Sequence, residues 1–151
     1  MIEVERLDEM PSYVGRELGV SAWLDVDQDR IDLFARATGD DQWIHVDAER
    51  ARRELDGGRT VAHGNFSLAL IAPLSWSIYS LKERARSVNA GYNKVRFIHP
   101  IHVGDRVRLR LALRATEWVA GGLRLVMGAT IEIDGCARPA VVAEAISIAY
   151  R

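Results

Sequence analysis

The sequence predicts an α+β domain in which an antiparallel sheet wraps one buried helix, and three observations carry that prediction. From Val107 to Tyr150 the chain largely alternates apolar and polar residues with period two, the mark of half-buried strands. From Gly64 to Ile78 it is apolar nearly all the way round a helix, as expected of an element enclosed by protein. A content of 48% hydrophobic and 27% charged residues in a chain of 151 suits one proper core. At about 150 residues per domain, 1–151 reads as a single domain.

The elements follow in order. Val20 to Val26 suits a strand, and Asp27 then offers a side-chain oxygen to open a helix with the apolar stripe Ile31, Phe34, Ala35 and Thr38, ended by Gly39. Asp47 caps a second short helix carrying Ala48, Ala51 and Leu55, which Gly57-Gly58 stops. In the central helix Phe66, Leu68, Leu70, Ile71, Leu74 and Ile78 form the core element. Pro73 lacks an N–H and is expected to kink this helix, unless it marks the start of a second segment. Ser87 to Ile98 is a strand. Val107, Leu109, Leu111, Leu113 and Ala115 then alternate with a cationic face that includes Arg106, Arg108, Arg110 and Arg114. Gly121-Gly122 turns the chain into Leu123 to Ile133, Asp134-Gly135 turns it again, and Ala140 to Tyr150 returns as an antiparallel neighbour.

Charge and apolar runs exclude several classes of function. Twenty Lys and Arg against 21 Asp and Glu leave a net charge of -1, which gives no reason to expect a nucleic-acid or anionic-membrane partner. The longest apolar run, near Leu68 to Leu74, is far short of the roughly 20 residues that span a bilayer. The start Met1-Ile2-Glu3-Val4-Glu5 has no basic region followed by an apolar stretch, so a cytoplasmic location is expected. Cys136 alone forms no intramolecular disulfide and makes a poor zinc ligand.

Two clusters carry chemistry: Thr38 to Asp47, with Asp40 and His45, and Val61 to Asn65, with His63 and Gly64. Asp40 follows a helix-ending glycine and His45 precedes a helix cap, so a carboxylate and an imidazole can share one small volume and hold a water between them as an acid/base pair. On spacing alone, Asp40 as a loop cap and His45 as a core histidine is the competing reading. The Gly64 N–H, at the start of the central helix, suits an oxyanion, although a glycine there also serves tight helix entry. Asp40, His45, Asp47 and His63 have no H-x3-H or H-E-x-x-H spacing, so no metal site is expected. The arginine face is either a solvated strand face or a lure for coenzyme A phosphates. The four tryptophans recur at no fixed spacing and read as core or interface.

Ala37 to Ala51 (A-T-G-D-D-Q-W-I-H-V-D-A-E-R-A) and Thr60 to Gly64 (T-V-A-H-G) resemble the hydratase signature of MaoC-like proteins, the (R)-specific enoyl-CoA hydratases and 3-hydroxyacyl-thioester dehydratases. The similarity is closest to the nodulation protein N-like branch, where Gln-Trp-Ile-His replaces the more usual Asn-Pro-x-His. Gly91 to Pro100 and Val103 to Val107 fit the same family, so the resemblance runs from about Asp27 to Tyr150. It implies a hotdog fold, a homodimer, no cofactor, and an acyl thioester of coenzyme A or acyl carrier protein as substrate. Asp40 and His45 match its catalytic pair, and the backbone N–H of its His-Gly motif falls on Gly64. Trp43, His63, Asn65 and Ser67 are the expected substrate-binding positions. Asn65 stands where the family commonly has Met or Phe, which concerns substrate shape more than chemistry.

The activity so implied is hydration of a trans-2-enoyl thioester to the (R)-3-hydroxyacyl thioester, and the reverse dehydration. The alternatives are a hotdog thioesterase, which releases free thiol, and an acyl-thioester binding module that has lost the chemistry.

Overall fold

The computed structural model describes residues 1–151. Its main sheet follows from the alternation: β6 (Arg106–Val119), β7 (Gly122–Ile133) and β8 (Val141–Tyr150) are antiparallel neighbours, flanked by β5 (Arg86–Phe97) on β8 and by β2 (Glu17–Val20) and β3 (Leu24–Asp25) on β6. Val107, Leu109, Leu111 and Leu113 of β6 and Leu123, Leu125, Met127, Ala129, Ile131 and Ile133 of β7 face the core. The period fails after Leu113. A bulge between Leu113 and Ala115 turns Ala115, expected inside, out to solvent.

The first strand is shorter than expected. β2 ends at Val20 because Ser21 takes over the bonding: its N–H donates to the Leu109 carbonyl at 2.8 Å, and its hydroxyl accepts from the Leu109 N–H at 2.9 Å. The ladder resumes only at Leu24.

Helix α1 (Gln28–Thr38) opens and closes as its residues dictate. The Asp27 carboxylate accepts from the Arg30 N–H at 2.9 Å, and Gly39 closes it at φ 77°. Ile31 and Ala35 are buried, but Thr38 ends exposed. A one-turn helix α2 (Trp43–Val46) follows, and then α3 (Ala48–Glu54), whose Asp47 cap accepts from the Arg50 N–H at 2.9 Å. Leu55 is already extended, so α3 ends before Gly57-Gly58, which make the turn beyond it.

The central helix is divided into α4 (Gly64–Ala69) and α5 (Ile71–Ser75), with Leu70 between them still in helical conformation. The division lies one turn before Pro73, whose missing N–H leaves the Ala69 carbonyl without its helical donor. Phe66, Leu70 and Ile71 enter the core against the sheet, while Asn65, Ala69, Ala72 and Trp76 lie exposed. The enclosure expected from the all-round apolar sequence is therefore half met within one chain. An unforeseen N-terminal unit closes one end: β1 (Ile2–Val4) pairs in parallel with β4 (Tyr79–Leu81), and a 3-10 helix, Leu7–Tyr13, buries Leu7 and Met10.

Three of the four arginines on the cationic face of β6 are neutralised across the sheet. Arg106 pairs with Asp134, Arg108 and Arg110 each reach Glu132 at 2.7 Å, and Arg110 also meets Glu17 at 2.9 Å. Burial opposes ionisation of Glu132, but hydrogen bonds from Arg110 and Arg108 outweigh it and hold the carboxyl below its usual range. Cations so matched are a structural face. No helix is long and apolar enough to cross a membrane.

Candidate active site

The site lies where the end of α1, the turn of α2 and the start of α4 converge. Gly39 turns the chain out of α1 and the Asp40 N–H donates to the Thr38 hydroxyl at 3.3 Å, which sets Asp40 at the rim. His45 sits within α2, rather than in a loop, and is buried. Its Nδ1 lies 2.5 Å from the Val61 carbonyl oxygen. A carbonyl only accepts, so Nδ1 carries the proton and, in the neutral ring, Nε2 keeps its lone pair.

His63 precedes α4, 3% exposed, and its Nε2 lies 2.8 Å from the backbone carbonyl of Asp40. By the same reasoning Nε2 is the donor and Nδ1 has the lone pair, which is buried without a partner. The two imidazoles stack with centroids 3.7 Å apart and planes 24° apart, and Phe34 packs on the His63 ring with centroids 5.0 Å apart. One donor atom from each of Asp40, His45 and His63 lies within 4.8 Å of the others. Rings so nearly parallel direct their in-plane lone pairs side by side rather than onto one ion, so the arrangement fits proton transfer better than chelation.

Gly64 is the first residue of α4, and no carbonyl or side chain accepts from its N–H. Its φ lies outside the left-handed region. The approach is close there: a Cβ would lie 3.2 Å from the Phe97 ring, so that exposed side chain would have to shift by a few tenths of an ångström. His45, Gly64, Ser67, Phe97 and His99 line a cleft of about 350 Å³. Ser67 faces it, but its hydroxyl donates to the Gly64 carbonyl at 2.6 Å. A second, more apolar pocket of about 150 Å³ lies further along, between α5 and the inner face of the sheet at Leu111, Met127 and Ala145.

The structure thus brings Asp40 and His63 beside His45, and sets His45, Gly64 and Ser67 along the cleft. Trp43 is half-buried under the Arg50 guanidinium, 4.0 Å above its ring, and Asn65 is exposed on the open helix face; neither lines the cleft. Sequence reasoning missed Gln28. Its amide donates to the His45 carbonyl at 2.7 Å and its oxygen accepts from the buried Thr60 hydroxyl at 2.6 Å, clamping α2 to the strand-like segment before α4. The only local signal was a polar residue at the start of an otherwise amphipathic helix. Phe97 was missed as well. In the adjoining loop, partial burial and the Arg59 charge push His102 below its usual range despite Asp105.

A profile of the MaoC like domain matches residues 9–130. The chain is 41% identical over 143 residues to 3-hydroxyacyl-thioester dehydratase Z of Mycobacterium tuberculosis, covering 94% of both chains. It is 40% identical over 144 residues to Nodulation protein N of Rhizobium leguminosarum bv. viciae, covering 94% of this chain and 89% of that one. Among solved structures, the R-hydratase PhaJ1 from Pseudomonas aeruginosa superposes with a TM-score of 0.73 at 23% identity, over 91% of this chain and 82% of the other. The backbone is accordingly that of a hotdog, and the chain belongs to the MaoC-like family.

Proposed function

We propose that this chain is a hydratase/dehydratase of acyl thioesters, adding water across trans-2-enoyl thioesters to give (R)-3-hydroxyacyl thioesters and running the reverse dehydration. The single observation that carries the reading is a fixed imidazole with a free Nε2 lone pair that lines the cleft together with the unengaged Gly64 N–H and has the Asp40 carboxylate within 4.8 Å of a ring nitrogen.

The chemistry needs these groups together. The thioester carbonyl accepts from the Gly64 N–H, which becomes stronger as negative charge builds on that oxygen in the enolate. Asp40 and His45 hold a water. One of them removes its proton as the oxygen bonds to C3, and the π electrons of C2=C3 move onto the carbonyl oxygen. Collapse of the enolate takes at C2 the proton that the pair has just received from the water, so H is added at C2, OH at C3, and Asp40 and His45 return to their starting states. The second pocket receives the acyl tail, and the protein surface beyond the cleft receives coenzyme A or an acyl carrier protein.

The working unit is a homodimer in the cytoplasm. The open face of α4 and α5 with Trp76, and the long edge strand β5 with Val88 and Phe97 exposed, leave apolar surface and unpaired backbone that a second copy covers. The test is hydration of crotonyl- to long-chain enoyl-CoA, followed by loss of enone absorbance. Asp40→Asn and His45→Gln each lower turnover by on the order of 10² to 10⁴ with the circular dichroism unchanged. Two folded variants with wild-type turnover refute the assignment, and release of free thiol instead identifies a thioesterase.

A further inference from the structure

The pocket beneath α5 is apolar in its walls but not in its equipment. Tyr79 is only 7% exposed and lines it, and the phenol hydroxyl makes no hydrogen bond with any protein group. Burial pushes this phenol above its usual range while the Arg84 charge acts the other way, so at neutral pH the hydroxyl keeps its proton and is a free donor. Arg84 is the one charged residue among those lining the pocket, and it has no acidic partner. Its neighbour Glu83 is already occupied, accepting from the Leu7 N–H at 2.7 Å and pairing with Arg151 at 2.9 Å. A hydroxyl that opens onto the pocket with no protein partner, and a cation near it with no carboxylate in reach, make a site for an acceptor that the chain itself does not supply.

The pocket stands at a definite distance from the chemistry. Gly64 and Ser67 line the catalytic cleft, Ile71 and Ser75 line the pocket, and these positions recur along one side of the α4–α5 helix. At 1.5 Å of rise per residue, Ile71 lies about 10 Å and Ser75 about 16 Å along the axis from Gly64, the reach of an acyl chain of about eight to twelve carbons.

We propose that Tyr79 and Arg84 form a binding site for an anionic group, a carboxylate, at the far end of a medium-length acyl chain. The inference rests on the hydratase reading for where the thioester sits. A terminal carboxylate accepts from the Tyr79 hydroxyl and pairs with the Arg84 guanidinium, while the methylenes before it lie against Ile71, Leu111 and Met127. A methyl-terminated chain of equal length leaves both donors unmatched, so the site selects by the unpaired groups it would otherwise bury.

Binding tests this separately from turnover. Calorimetry compares decanoyl-CoA with the decanedioyl half-thioester of coenzyme A, two unreactive ligands of equal carbon number. Wild-type protein binds the half-thioester tighter by about tenfold or more, and Tyr79→Phe and Arg84→Met each shrink that ratio. Equal binding by the wild type overturns the proposal, as does an Arg84→Met variant weakened equally toward both ligands, since Arg84 then serves the coenzyme A phosphates. Crotonyl-CoA, too short to reach the pocket, is assayed on the same preparation. If it is not hydrated while the tail preference persists, the hydratase reading fails and the carboxylate site stands.

Discussion

Replacing His63 by phenylalanine keeps an aromatic ring stacked on His45 at 3.7 Å and removes the 2.8 Å hydrogen bond to the Asp40 carbonyl. That bond is a main-chain tether on the residue that carries the proposed catalytic carboxylate. Its loss costs about 1 kcal/mol for the bond itself and about 1–3 kcal/mol where the carbonyl stays shielded from water. Asp40 is exposed, so the loop relaxes toward solvent rather than bearing the larger penalty, and the fold survives. A carboxylate displaced by about 1 Å from its working position costs on the order of 10² in turnover. His63→Phe therefore lowers kcat for crotonyl-CoA hydration about 100-fold with KM little changed, because no substrate contact is lost. His63→Gln supplies an amide N–H in place of the imidazole donor and recovers part of that loss. In an Asp40→Asn background the His63→Phe penalty shrinks, since a residue that acts through Asp40 has nothing left to position. Penalties that simply add, or a glutamine variant no better than phenylalanine, refute this positioning role.

Gly64→Pro deletes the proposed oxyanion donor, and in a Phe97→Leu chain, where the proline Cβ no longer meets the Phe97 ring, it lowers turnover by about 10² to 10³; His63 at ψ 140° already has the conformation that a residue before proline requires. Gly64→Ala keeps the N–H but sets a methyl 3.2 Å from the Phe97 ring; turnover falls by less, and Phe97→Leu in the same chain restores it. Glu132, with its carboxyl held below the ordinary 4.5, contributes stability that is fully present at neutral pH and is lost as pH falls through its folded value; melting curves of wild type and Glu132→Gln accordingly converge in acid, and a gap unchanged by pH counts against the paired carboxylate. Light scattering at micromolar concentration gives about twice the 16.9 kDa chain mass, and a monomer mass contradicts the homodimer.

What the sequence discloses here is what depends on near neighbours. The Asp27 and Asp47 caps, the Gly39 stop and the inward face of β6 up to Leu113 each follow from residues within a turn or a strand repeat, and each is present. The alternation misleads at Ala115 because a bulge depends on the partner strand, and the arginine face stays ambiguous because its neutralisation requires the register that sets Arg108 opposite Glu132. The candidate site divides along the same line. Asp40 and His45 are five positions apart and legible as a pair, yet what holds them is remote and made of main chain. His45 is fixed by the Val61 carbonyl and by Gln28 on its own carbonyl, and Asp40 by His63 across 23 positions. A carbonyl looks the same at every residue, so a sequence marks the side chain that grips it and not the place gripped. That is why His63 reads in the sequence as one more substrate-facing residue of its motif, although the fold buries it beneath His45 with its donor committed to the backbone. The residues that do chemistry are written as a motif; the residues that hold them still are written in the fold.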